Sequence, residues 1–426
     1  MIPVSLRVMT HVGMTAAEGA GALRTALVWE EGLAAYDFGP GHPMSPVRLE
    51  LTAHLCRLKG LFDRPGTVLI GAPTAADADL ERVHDREFIA AVRAASAPGA
   101  PSSDPRWTPY GLGGQDTPVF RGIHDASARL VGGTVQAVEA LAAGRAGRAV
   151  NFAGGMHHAR AAQAAGFCVY NDAAIGIQRA LELGERQIVY VDLDVHHGDG
   201  VERALWDEPR AVTISVHQSG ETLFPGTGYA QDTGGPGAPG SAVNVPLPAR
   251  TGPADWLRAI EAVVAPVVRA VRPSLLVTQH GADTHRDDPL ADLDVTVEAQ
   301  VAAMEMMREL AEEVCGGRWL ALGGGGYSVT DVVPRSWTQL VAVATGEPLD
   351  HSAPLPTAYV ERAAELARAQ GLPLPRPGAR FGDTGERAPV PRPWSAGYDP
   401  DSALDRSIQA VRRTVFPEWG LDPFYD

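Results

Sequence analysis

The stretch Asp192-Leu193-Asp194-Val195-His196-His197-Gly198-Asp199 packs three carboxylates and two imidazoles into eight residues. One Asp or His after a strand is ordinarily a turn former or a helix cap, and capping needs a single acceptor. Five ionisable groups together are costly to hold without a cation or paired partners. Strand alternation puts Asp192, Asp194 and His196 on one side. An imidazole and a carboxylate there give two of the three protein ligands of a catalytic zinc. Asp283, closing Thr278-Gln279-His280-Gly281-Ala282-Asp283, supplies a third. The set Asp194, His196 and Asp283 leaves an open position for water, as metal-assisted hydrolysis requires. Nitrogen and oxygen donors take several divalent ions, so the set leaves zinc and iron open.

Two more clusters have the same character. Gly154-Gly155-Met156-His157-His158 places adjacent imidazoles at a glycine-rich turn. Each needs a carboxylate to fix its tautomer, and Asp192 and Asp199 remain for that role. A histidine so held beside an activated water is the arrangement for general acid–base hydrolysis. Gly323-Gly324-Gly325-Gly326-Tyr327 lacks the Lys-Ser or Lys-Thr of a phosphate loop. Its tyrosine can instead donate to a developing oxyanion.

All four clusters close apolar runs that read as buried strands. Strands are expected at 68–70, 149–152, 188–191, 212–216, 275–278 and 319–322, alternating with Ala- and Leu-rich helices such as 124–142. This alternation predicts an α/β fold: a single domain with a mostly parallel central sheet and helices on both faces. Such sheets bind ligands beyond the carboxyl ends of their strands, where the four clusters lie.

The ordered motifs also carry a resemblance. They are Gly39-Pro40-Gly41-His42-Pro43-Met44, Gly154-Gly155-Met156-His157-His158-Ala159 and Gly166-Phe167-Cys168-Val169-Tyr170-Asn171-Asp172. The segment from Val191 to Val201, Phe224-Pro225-Gly226-Thr227-Gly228, Gly281-Ala282-Asp283-Thr284 and Gly323-Gly324-Gly325-Gly326-Tyr327 follow. From about residue 26 to about 345, the chain resembles the histone deacetylase family, class I-like, and among its members the bacterial acetoin-utilization proteins. The resemblance implies the arginase–deacetylase fold. It implies zinc on Asp194, His196 and Asp283, with His158 paired to Asp199 as the base. His157 paired to Asp192 would be an electrostatic partner, and Tyr327 would bond the amide carbonyl. Phe167 and Phe224 match the two aromatics of an acyl-lysine channel, which Gly166 closes. Asp116 matches a rim aspartate that accepts bonds from substrate backbone. A potassium ion close to the zinc is implied at Asp192, Asp194, His196 and Ser215.

The chain departs from that pattern in places. Leu290 stands where many members have a channel methionine, and Met156 where several have tryptophan. Thr284-His285-Arg286 adds an imidazole near the mouth, and the sequence leaves His285 between a rim role and the metal. After His196 comes His197-Gly198 rather than a carboxylate two residues on, which favours a mononuclear site over the dimanganese site of the related arginases.

The 426 residues, 45% of them hydrophobic, suffice for one large core. Residues 1–25 carry no motif and are expected as a flexible extension, 26–350 as the catalytic domain. Residues 351–426 are expected as a proline-rich tail packing on the domain or on a subunit partner, with a short helix at 403–413. Two surface loops are expected, at 97–109 and 234–240. Three cysteines without metal spacing point to a reducing cytoplasm. The absence of a long apolar run argues against a membrane span. A formal charge of −15 argues against nucleic-acid binding and suits a lysine-bearing partner. The expected function is hydrolysis of acetyl-lysine in a protein, by the resemblance a metabolic enzyme such as acetyl-CoA synthetase. An acetylpolyamine amidohydrolase and a silent acetyl-lysine reader are the alternatives. The oligomeric state is left open.

Overall fold

The computed structural model describes residues 23–425. The extension expected at 1–25 lies outside them up to residue 22, and Thr25 already opens a buried strand. Eight strands form one sheet: β1 (Thr25–Val28), β2 (Thr67–Ile70), β3 (Arg148–Asn151), β4 (Ile188–Asp192), β5 (Ala211–Gln218), β6 (Ala242–Leu247), β7 (Leu275–Gln279) and β8 (Trp319–Leu322). Their order is β2-β1-β3-β8-β7-β4-β5-β6, and every pairing is parallel. β1 and β6 were not expected from the sequence. Pro246 reads as a strand breaker, but β6 is an edge strand, where a missing N–H is tolerated.

The order decides where the chemistry goes. β3, β8, β7 and β4 are neighbours, and almost every residue in them is buried. Strands covered on both faces read as continuous apolar runs, as these do. Their carboxyl ends bring residues 152–158, 193–199, 280–283 and 323–327 to one rim.

Seven helices concern that rim: α1 (Val47–Leu58), α2 (Ile123–Ala142), α3 (Asp172–Glu182), α4 (Val297–Cys315), α5 (Val332–Thr345), α6 (Thr357–Gln370) and α7 (Ala403–Val415). The Asn171 side chain accepts from Ala174 N–H and starts α3, directly behind the His157–His158 loop. Thr296 caps α4 in the same way, and Gly316, at φ 63°, ends it. α5 is buried at every residue from Val332 to Ala344, and its polar members Arg335 and Gln339 find partners inside the protein. It leaves the Tyr327 turn and anchors it.

Beyond residue 350, α6 packs on α1 and α7 packs on β6. The Ser407 hydroxyl donates to Pro246 O at 2.5 Å, so α7 covers part of the sheet's edge. No helix of the described residues is long and apolar enough to cross a membrane.

Candidate active site

β4 ends at Asp192, so Asp194 and His196 are placed by the turn after the strand rather than by strand alternation. Asp192 Oδ2 meets His157 Nδ1 at 2.8 Å and accepts from the Tyr190 hydroxyl at 2.7 Å. Asp194, His196 and Asp283 come together with one ligand atom each, all within 4.8 Å of one another. His196 Nδ1 lies 3.2 Å from Asp194 Oδ1 and 3.2 Å from Asp283 Oδ2. Both carboxylates are fully buried, and burial with the neighbouring Asp194 charge pushes the Asp283 carboxyl up. Backbone donors aim the other oxygens: Gly325 N–H to Asp194 Oδ2 at 2.7 Å, and Val195 N–H to Asp283 Oδ1 at 3.1 Å. Two buried carboxylates and an imidazole at this spacing fit a divalent cation.

The two histidines leave β3 through the Gly154-Gly155 turn. His158 Nδ1 lies 2.8 Å from Asp199 Oδ1, which fixes its ring and leaves Nε2 for chemistry. Burial and the neighbouring His157 push His158 down to about 3, against the pull of Asp199. Burial also works against His157, but Asp192 and Asp194 outweigh it and hold it at about 9. Arg160 grips the second oxygen of Asp199 through Nε at 3.1 Å and Nη2 at 2.8 Å. The sequence reading missed this residue, which stands two places past His158. It also gave no role to Asn171 and Asp172, although it quoted their motif. Asp172 Oδ1 accepts from Met156 N–H at 2.7 Å and Gly155 N–H at 3.0 Å, and Asn171 Nδ2 donates to Ala159 O at 2.9 Å. The loop is thus held from both sides.

Tyr327 follows a turn in which Gly324 and Gly326 take φ of 135° and 141°, values that disfavour a side chain. Arg48 Nη1 donates to Gly324 O at 2.9 Å, and Asp288 Oδ2 accepts from Tyr327 N–H at 2.7 Å. Neither residue had an expected role from the motifs. The Phe167 ring lies 5.6 Å from Tyr327, and the Phe224 ring 5.0 Å from His158. Phe224 is 48% exposed, so this aromatic pair reaches from the histidines and tyrosine to solvent. Gly166 sits so close that a Cβ would lie 2.3 Å from His158 Cδ2. Its N–H donates to Asp116 Oδ2 at 2.8 Å, which ties the exposed Asp116 to the Gly166-Phe167 turn.

Residues 42–344 match the family model described as the histone deacetylase domain. The chain belongs to the histone deacetylase family. It is 37% identical over 319 residues to the acetoin utilization protein AcuC of Bacillus subtilis (strain 168), covering 75% of this chain and 81% of that one. Against AcuC of Staphylococcus xylosus it is 32% identical over 323 residues, covering 76% and 83%. A crystal structure of a histone deacetylase homologue complexed with SAHA superimposes with a TM-score of 0.77 at 27% identity, covering 91% of this chain and all of the other. The protein is thus a hydrolase of the deacetylase type, on the arginase–deacetylase fold that the sequence led us to expect.

Three residues of this deacetylase complete the comparison with the sequence. His285 reaches neither the metal cluster nor the rim. It is 1% exposed, its Nδ1 accepts from Asp287 N–H at 3.1 Å, and its Nε2 lies 2.8 Å from Asp383 Oδ2. Leu290 is half-buried, with its N–H on Asp288 Oδ1 at 3.0 Å. Ser215 is the register partner of Asp192 across β4 and β5, and its hydroxyl lies 2.9 Å from His217 Nδ1.

Proposed function

We propose that this deacetylase hydrolyses the acetyl amide of acetyl-lysine in protein substrates, with zinc, or iron as the alternative, on Asp194, His196 and Asp283. One observation carries the reading. The buried donor set, the His158–Asp199 dyad and Tyr327 share one rim beneath an aromatic mouth. A divalent ion held by Asp194, His196 and Asp283 would polarise the amide carbonyl and lower the pKa of water to about 7. His158, neutral and oriented by Asp199, takes the proton of the attacking water at Nε2 and returns it to the leaving lysine amine. His157 carries its positive charge beside the developing anion. Tyr327 donates its hydroxyl to the carbonyl oxygen as it becomes tetrahedral, in a place fixed by Asp288.

Phe167 and Phe224 bury the lysine stem, at about 0.8 kcal/mol per methylene. Gly166 closes the wall, and Leu290 lines it further out. Asp116 at the rim accepts substrate backbone N–H groups, which favours a peptide over an acetylpolyamine. A structural potassium ion belongs beside Asp192, Asp194, His196 and Ser215. The relatives' names, acetoin utilization protein, support a substrate in acetoin metabolism, and an acetylated metabolic enzyme such as acetyl-CoA synthetase is the one we propose. Three free cysteines suit work in the cytoplasm.

The test is turnover of a fluorogenic acetyl-lysine peptide by metal-free protein reconstituted with zinc or iron, with acetylspermidine in parallel. Metal-dependent turnover of the peptide, lost in His158→Ala, is expected. Turnover of acetylspermidine alone would move the substrate to polyamines. Tight metal binding with neither turned over would make the protein a reader of acetyl-lysine.

A further inference from the structure

We propose that Asp383, in the segment beyond the family match, is a positioning residue for the active site, locking through His285 the loop that carries Asp283 and Asp288. The inference rests on the reading of Asp283 as a metal ligand. His285 stands two residues after Asp283 and is buried. Its Nδ1 accepts from Asp287 N–H, so Nε2 carries the proton and donates to Asp383 Oδ2 at 2.8 Å. The same oxygen accepts from Val297 N–H, the first residue of α4, at 2.8 Å. Oδ1 accepts from Arg335 Nη1 at 2.9 Å, on α5, the helix that follows Tyr327. One carboxylate therefore ties together the 283–288 loop, the start of α4 and the helix behind the tyrosine. Within that loop, Asp288 holds Tyr327 N–H.

Asp383 is itself fixed. Its N–H donates to Glu298 Oε1 at 2.8 Å, and so do Thr384 N–H at 2.8 Å and Gly385 N–H at 3.2 Å. Burial opposes its charge, but His285 and Arg335 hold it well below the usual carboxylate range. Charge-assisted bonds of this kind are the stronger ones, and removing one partner leaves the others buried and unsatisfied. The loop then has room to shift, and with it both a metal ligand and the tyrosine's support. This also accounts for His285, which faces away from the chemistry.

The test compares full-length wild type, Asp383→Asn, His285→Leu, His285→Gln and Asp405→Asn. Zinc affinity is read by chelator competition, kcat and KM on an acetyl-lysine peptide, and Tm by calorimetry. Partners that support metal ligands typically change affinity by about 10- to 100-fold. Asp383→Asn and His285→Leu are expected to weaken zinc binding about 10-fold and to lower kcat by a similar factor, with KM nearly unchanged. His285→Gln, which retains an N–H donor, is expected to recover most of both. Asp405→Asn loosens a different anchor of the same segment and is expected to lower Tm while leaving zinc affinity and kcat alone. Wild-type zinc affinity in folded His285→Leu would overturn the proposal. So would an equal loss in Asp405→Asn, which would make the effect a general loosening. If wild type turns over no acetylated substrate, the deacetylase reading fails, and the zinc affinities still decide the latch.

Discussion

His157 and His158 lie with ring centroids 4.0 Å apart, yet each is bonded to its own carboxylate, and they sit on opposite sides of neutrality. His157 is held at about 9, and His158 is pushed down to about 3. Pairs driven apart in this way divide acid–base labour. His158→Ala is expected to lower kcat/KM by about 100- to 10,000-fold, the usual worth of a general base. His157→Ala should cost less and should change the pH profile. The His157 charge is one of the forces that depress His158. Without it the pKa of His158 rises, so more of the base is protonated in mild acid, and the acidic limb of kcat/KM moves to higher pH. A limb that stays put, or moves to lower pH, would reject this pairing of roles.

Tyr327→Phe removes one hydroxyl and leaves the ring against Phe167. If that hydroxyl supports the tetrahedral oxygen, kcat falls by about 100- to 1000-fold, the cost of one such donor. KM should change little, because the bond strengthens only as the carbonyl becomes tetrahedral. Unchanged turnover would show that another group bonds the carbonyl oxygen.

The glycine run was legible as a tight turn, but its main constraint was not. A Cβ on Gly325 would lie 2.0 Å from Asp283 Oδ2 and 3.0 Å from Asp194 Oδ2. Gly325→Ala must displace both carboxylates or the turn. The expected result is a folded protein with at least 10-fold weaker zinc binding, measured by chelator competition. Wild-type zinc affinity would mean that the turn moves freely and that the carboxylates do not depend on it.

How far the site could be read from the sequence depends on whether its residues stand at the ends of strands. Asp194, His196, Asp283, His158 and Tyr327 do, and a parallel sheet gathers such ends at one rim. Strand alternation was the wrong reason for grouping Asp194 and His196, because β4 stops at Asp192 and the following turn places them. Arg160, Asp172 and Asp288 act through bonds to backbone or to other side chains, which leave no periodic signal. Asp383 meets His285 across 98 positions of sequence, and no local pattern announces such a contact. β6 lies at the edge, and its Ala-Val-Asn-Val-Pro-Leu lacks the unbroken apolar run that marks the central strands.

The C-terminal segment has a second anchor whose strength depends on pH. Asp405 on α7 is 1% exposed and accepts from Arg258 Nε at 2.8 Å and Nη2 at 2.9 Å, with Arg392 Nη2 at 2.5 Å. Burial opposes its charge, but Arg258 and Arg392 outweigh that and keep its carboxyl below the usual range. Removing one partner of a buried pair costs about 3–5 kcal/mol. Asp405→Asn should therefore lower Tm at neutral pH. The sign with pH follows from the depressed folded pKa. The stabilisation is fully present above the unfolded value of about 3.9 and is lost as pH falls through the folded one. Calorimetry from pH 8 to 5 should find a constant Tm gap between wild type and variant, and the gap should close below about pH 4. If no gap exists at pH 7, the pair does not hold the segment. If the gap persists unchanged at pH 3, its charge is not what holds it.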